Sequence, residues 1–237
     1  MQKYLYIILI LLIIMVACEN IENTEMNEIE TFIQTSTITS TSEKMQTGDI
    51  IHFGDYEWRI LELYENNVAL IITENIIKTR QFHNYWEEIT WEECDLRLYL
   101  NSTFLDTFTN EERYKILPTQ VSNIDNEWFW IPGGNDTIDY VFILSIEEVV
   151  RFFGDSGQLK NPISPQYGIR QYLLSDQYNN NRISTCENGE AQWWWLRSIG
   201  FSLDFASFTD EHGVINVSGA GVNADLGVRP VLLLNIG

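Results

Sequence analysis

The stretch DIIHFGDYEWRILELYENNVALIIT, residues 49–73, narrows the choice of fold more than any other part of the chain. Three strand-forming runs, Ile50–Phe53, Tyr56–Leu63 and Val68–Ile72, are separated by Gly54-Asp55 and Glu65-Asn66-Asn67. Both separators are turn formers, so the segment reads as a β-meander. Alternation along the second run puts Trp58 and Ile60, with Tyr56 at its start, on one face and Glu57, Arg59 and Leu61 on the other.

Helix signals follow the meander. In TWEECDLRLYLN, Thr90 and Glu93 have capping-box spacing, and apolar residues recur near helical period behind them. Thr109-Asn110-Glu111-Glu112 suits the start of a second short helix, and Ser145 with Glu148 opens a third in SIEEVVRFF. Between these lies SNIDNEWFWIPGGNDTID, residues 122–139, a loop with embedded aromatics and strong turn chemistry at Pro132-Gly133-Gly134-Asn135. Residues 154–190 are polar and turn-rich, with a short helix expected near Tyr167–Leu174. The rest is β again: WWWLRS, FASFT, a turn at Asp210-Glu211-His212-Gly213, VINVSG, and a closing GVRPVLLLN. So apolar a closing strand suggests a central or well-covered place, and Pro230 marks a strand start, bulge or unpaired position. In WWWLRS, alternation sets Trp193, Trp195 and Arg197 on one side and Trp194 and Leu196 on the other. Three indoles cannot then form one platform, and Trp194 or Trp195 is expected in the core.

The chain begins MQKYLYIILILLIIMVAC, a lysine followed by an apolar run shorter than the ~20 residues of a membrane span. Its end, Met15-Val16-Ala17-Cys18, resembles a bacterial lipobox. The resemblance implies a signal peptide over 1–17, cleavage before Cys18 and lipid on that cysteine; a plain signal or an uncleaved anchor is the other reading. Residues 18–47 are rich in Ser, Thr, Asn and Glu with no sustained apolar period, which fits a disordered tether. The expected organisation is signal 1–17, lipidated Cys18 and tether to 47, and one domain over 48–237, exported and held by lipid on the outer side of a bacterial membrane.

With a net charge of −20, the chain repels phosphates, and nucleic-acid binding is not expected. Cys94 and Cys186 are either a bridge or two separate thiols, and neither they nor the scattered His52, His83 and His212 form a zinc pattern.

FGDYEWRIL, TWEECDLRLYLN, GGNDT, VFILSIEEV, WWLRSIG and GVRPVLLLN occur in that order over about 48–236. The series resembles an uncharacterised bacterial domain family whose members carry FGxYxWRVL, TWExCxLRxWLN, GGNxTxDxIFLLSxxEV, WWLRSPG and GVRPALWLN. The C-terminal part also looks like the C-type-lectin-like superfamily, which includes formylglycine-generating-enzyme-like domains. That likeness implies an α+β domain with a twisted antiparallel sheet, two or three short helices and long irregular loops.

Candidate sites follow from these motifs. Trp128, Trp130 and Trp194 have indole faces suited to sugar rings, with Asn135 and Asp136 to bind hydroxyls. Arg197, like Arg97 and Arg229, is either a carboxylate binder or a buried brace. The oxygen-rich loops around Asn135 and Asp136 suit calcium as well as ordinary turns. Ser198, His212 and Asp210 supply triad residue types, but sequence proximity is not triad geometry. Formylglycine-generating enzymes use two active-site cysteines near the C-terminal end, where this chain has only Cys186. The expectation is a surface module for a protein, peptide or envelope glycan ligand, with no catalytic residues and no cofactor; a degenerate formylglycine-generating-type enzyme is the alternative.

Overall fold

The computed structural model describes residues 44–157, 159 and 172–237. Cys18, the segment 1–17, most of the tether and the larger part of the helix expected near Tyr167–Leu174 lie outside the described residues. Residues Gln46–Gly237 form one compact unit. Its strands are β1 (Ile50–Phe53), β2 (Tyr56–Tyr64), β3 (Val68–Thr73), β4 (Lys78–Arg80), β5 (Ile116–Leu117), β6 (Thr119–Val121), β7 (Thr137–Asp139), β8 (Val141–Phe142), β9 (Leu173–Leu174), β10 (Trp194–Ile199), β11 (Phe205–Thr209), β12 (Ile215–Gly221), β13 (Leu226–Val228) and β14 (Val231–Asn235). The helices are α1 (Asp95–Tyr99), α2 (Asn110–Arg113), α3 (Ile146–Phe153) and α4 (Asn179–Arg182). The architecture is mixed α+β with mostly antiparallel sheets. Among the described residues no helix is long and apolar enough to cross a membrane.

The meander forms as its turns dictate. Asn66 and Asn67, at φ of 61° and 58°, adopt the left-handed backbone that asparagine tolerates, and they return the chain from β2 to β3. Trp58 and Ile60 point into the core as alternation requires, but Leu61 is buried too. The β2–β3 register shifts between Ile60 and Glu62, and such a bulge re-aims the side chain beside it. β14 completes this first sheet, pairing β3 on one edge and β5 and β8 on the other. The closing apolar strand is thus central, and Pro230 sits just before its start.

The second sheet runs β4-β13-β10-β11-β12-β9, antiparallel except for the β10–β13 pair. Both faces of β10 are covered: Trp194 and Trp195 are each 0% exposed. Each indole N–H finds a carbonyl, Trp194 that of Arg182 at 3.0 Å and Trp195 that of Arg80 at 2.8 Å. Burying an indole without such a partner would leave its N–H orphaned. Trp193 precedes the strand, half-exposed, stacked on Phe208 with ring centroids 4.7 Å apart. At the far edge, Leu173–Leu174 pairs with β12 as strand rather than helix.

Of the two expected capping boxes one forms, that at Ser145, and a further box forms at the helix start expected at Thr109. Thr109 with Glu112, and Ser145 with Glu148, exchange side-chain and backbone hydrogen bonds at the starts of α2 and α3. At Thr90 the box does not form: Trp91–Glu93 make one short 3-10 turn, and Cys94 caps α1 instead through Sγ, which accepts from the Arg97 N–H at 3.4 Å. Thr90 is packed under Gly134, where even a single added methyl would lie 2.8 Å from its side chain. Cys94 and Cys186 are separate thiols, and burial pushes that of Cys94 up to about 12.

Glu147, in the first turn of α3, is mostly buried, and its Oε2 has no hydrogen-bond partner among the described residues. Desolvation raises its pKa above the ordinary carboxylate value, so folding favours the protonated form. That contribution is full below the unfolded-state pKa and is lost as pH rises through the folded-state pKa. Glu147→Gln is therefore expected to raise the urea midpoint at pH 7, with the gain shrinking towards pH 4. A gain that instead grew on acidification would contradict this assignment.

Candidate functional site

Four segments meet at the β10–β11 end of the second sheet: residues 82–89, 126–131, 200–205 and 221–224. Backbone hydrogen bonds hold them together: His83 donates to Val222, Ile89 to Leu203, and Val222 to Asp204. Asn126 binds the 126–131 loop onto this end, its Nδ2 donating to the Ile199 carbonyl at 2.7 Å. Side chains follow from that convergence. Trp86 stands 5.8 Å edge-on from Phe205, Phe205 is 4.3 Å from Phe201, and Phe201 is 6.3 Å from Phe129. The result is a run of four aromatic rings across three of these segments, with Trp86 at 62% exposure at one end.

Trp86 is held in orientation. Its indole N–H donates to Asp204 Oδ2 at 2.6 Å, and the other carboxylate oxygen accepts from the Ser202 hydroxyl. The Ser202 hydroxyl foremost, then the Trp86 N–H, hold the Asp204 carboxyl below the usual range. Trp130, next along from Phe129, is 88% exposed and sits at φ 57°. For a bulky residue this left-handed backbone is strained, and strain of that kind gathers at ligand-contacting loops. Tyr85 is likewise exposed.

Beside this run His83 is buried between two carboxylates, Nε2 2.8 Å from Glu87 and Nδ1 2.9 Å from Asp95. The two acids approach opposite ring nitrogens, so they cannot converge on one ion with the imidazole. Among the described residues no three His, Cys, Asp or Glu side chains come together to hold a metal. Neither imidazole nitrogen is left directed at a substrate.

The residues singled out from sequence fall in three places. Trp130 joins the exposed loop face. Trp128 lies one turn beneath it, mostly buried, 5.9 Å from Tyr172. Trp194, by contrast, presents no face to solvent, because covered sheet surrounds it on both sides. Arg197 is also internal: both Nη atoms bind Glu148, and they further donate to the carbonyls of Ile143 and Ser122. It braces β10 against the start of α3. Asn135 and Asp136 tie loops together. Asn135 Nδ2 donates to Glu92 at 2.9 Å, while Asp136 Oδ1 accepts from the Asn123 N–H at 2.9 Å and the Ser122 hydroxyl at 3.1 Å. The Asn123 N–H chiefly, with Ser122, holds the Asp136 carboxyl below its ordinary range. Gly133 is packed so tightly against this loop that an added Cβ would fall 2.3 Å from the Asn123 carbonyl, which accounts for the glycine pair in the motif.

The imagined triad is not assembled. The Ser198 hydroxyl accepts from the Ile146 N–H at the head of α3, and Asp210 Oδ1 closes the 210–214 turn on the N–H groups of His212 and Val214. What the sequence reading missed was Trp86 and Tyr85, with Phe201 and Phe205. Only an aromatic pair within a polar loop, HNYWEE, marked them.

Over residues 66–236 the sequence matches the family described as Domain of unknown function (DUF6273). The chain belongs to the DUF6273 family. No curated protein and no solved structure matches it. β1 and β2 precede the matched span yet supply the outer strands of the first sheet, so in this DUF6273 chain the folded unit begins ahead of it. The aromatic loop face lies wholly within the matched span.

Proposed function

We propose that this chain is a non-catalytic binding module with a C-type-lectin-like fold. Lipid on Cys18 holds it at the outer side of a bacterial membrane, and its aromatic loop face binds an envelope glycan. The observation carrying this reading is the exposed Trp86, clamped by Asp204 at the end of a four-ring run. Pyranose rings stack their C–H faces on flat aromatic surfaces, and a few fixed polar groups then select among hydroxyls. Here the rings are fixed before any ligand arrives, which spares the ordering entropy of binding. Asp204 and the neighbouring Asn223 supply the polar part. The net charge of −20 opposes an anionic polymer but not a neutral sugar. Membrane attachment would keep such a face close to the wall polymer it reads. No cofactor enters this reading.

The test is co-sedimentation of the full chain with purified peptidoglycan sacculi, competed by soluble β-1,4-linked N-acetylglucosamine oligomers. Trp86→Ala and Trp130→Ala are expected to weaken retention at least about fivefold each, in line with losing a stacking contact of ~1 kcal/mol. Both are exposed, so folding is preserved, as circular dichroism would check. Unchanged retention in both variants, or no wild-type retention at all, would remove the glycan assignment.

A further inference from the structure

The tip of the aromatic loop is held by side chains. From Asn84 to Glu88 the backbone makes no hydrogen bond to the backbone of another segment among the described residues. The flanking ties, His83 to Val222 and Ile89 to Leu203, lie just outside it. Three side chains take over. Asp204 accepts from the Trp86 indole at 2.6 Å, Asp95 accepts from the Asn84 N–H at 2.9 Å, and His83 Nε2 meets Glu87 at 2.8 Å. His83 and Glu87 are four residues apart, so their contact closes the tip into a ring around Tyr85 and Trp86.

The second ring nitrogen faces the start of α1. Nδ1 is buried, 2.9 Å from the same Asp95 Oδ2 that holds Asn84, yet it makes no aligned hydrogen bond. The contact is therefore one of charge. An imidazolium satisfies both carboxylates, whereas a neutral imidazole carries a single N–H. With that proton on Nε2 for Glu87, the Nδ1 lone pair confronts a carboxylate oxygen across 2.9 Å. We propose that His83 is a pH-sensitive latch on the aromatic loop: charged, it fastens the tip to α1, and on losing its proton it lets the tip go.

The surroundings of the ring leave the switching to His83 itself. Its own loop presents Glu87 and the Tyr85 ring, 6.1 Å away and edge-on. From α1 comes Asp95, and from the segment after β12 the Val222 carbonyl, which accepts the His83 backbone N–H. No third carboxylate among the described residues is in ion-pair range of the imidazole. That of Asp204 is taken by Trp86 and Ser202. Histidine is the side chain that ordinarily changes charge between pH 5 and 8, where ordinary carboxylates stay ionised. The latch is thus closed on the acid side of that window and open on the alkaline side. Loop order needs no ligand, so the proposal is tested apart from the glycan reading; only its effect on sugar retention rests on that reading.

Nitrogen-15 relaxation of the full chain at pH 5.5 and pH 8 tests it, read at the backbone amides of Tyr85 and Trp86. Their order parameters should fall from about 0.85 at the lower pH to below about 0.6 at the higher, while those of β11 stay rigid. The change at Trp86 should share its midpoint with the titration of the His83 ring protons. His83→Gln cannot take up a charge and should give the same loop order at both pH values. Should that buried variant not fold, Asp95→Asn removes the confronting charge from a partly exposed position and should shrink the change at least about twofold. Equal order at the two pH values in the wild type, or an undiminished change in either variant, would overturn the proposal.

Discussion

Glu148→Ala is expected to lower stability by about 3–5 kcal/mol, the range for removing one partner of a buried ion pair. The Arg197 side chain is 3% exposed against 29% for Glu148, so losing the carboxylate strands a largely buried charge. Two carbonyls would still accept from it, those of Ile143 and Ser122, but they carry no compensating charge. The same substitution also removes the reciprocal cap on α3, worth ~1 kcal/mol by itself. Glu148→Gln separates the two contributions, because glutamine serves a capping box as well as glutamate does. It should retain the cap and lose the charge. Adding Arg197→Met to Glu148→Ala should recover part of the loss, since removing both charges leaves neither one stranded. Urea unfolding followed by tryptophan fluorescence reads all of these. An alanine variant within about 1 kcal/mol of wild type would show that Arg197 is not dependent on this pair.

Asp139→Asn comes next, with an expected loss of about 3 kcal/mol despite its near-identical shape. Asp139 is buried and accepts three hydrogen bonds: from Trp91 Nε1 at 2.9 Å, Arg97 Nε at 2.7 Å and the Thr137 hydroxyl at 2.7 Å. An asparagine offers one carbonyl oxygen, and its amide nitrogen would face at least one of those donors. The indole N–H and the hydroxyl are inside and have no water to turn to, whereas Arg97 is partly exposed and can rehydrate. Trp91 should therefore report the change directly, as a shift in its indole N–H resonance. Loss of stability without any change at Trp91 would place the effect elsewhere.

These two clusters also show where a sequence is readable and where it is not. The box at Ser145 and the helix start at Thr109 were legible because each needs only residues within one turn. The box at Thr90 has the same spacing and does not form, because Trp91–Glu93 make a single 3-10 turn there and the α-helix starts only after Cys94. Alternation in WWWLRS correctly separated Trp194 from Trp195. It could not show that both sides are covered, because the partners are Phe153 and Arg182 for one and Phe82 and Arg80 for the other. The aromatic loop face was legible only at Trp130. Trp86 and Asp204 stand 118 residues apart, and no periodicity connects two loops that meet solely through the sheet they flank. Arg229 was visible as one motif arginine among three, but its bonds to the Thr73 and Glu74 carbonyls in place of a carboxylate are a property of packing.

The place of β14 has a kinetic consequence. Ile72 finds its partner at Val231, so the meander, although made from the first folded residues, has an open β3 edge until nearly the whole domain has been synthesised. Contacts of such long span slow folding, because the connecting chain must be ordered before any pairing energy returns. A chain interrupted before β14 would expose the apolar faces of Leu70 and Ile72 and a free strand edge, the features that seed aggregation. Pairing of the final strand with β3, β5 and β8 is therefore the step that closes the first sheet.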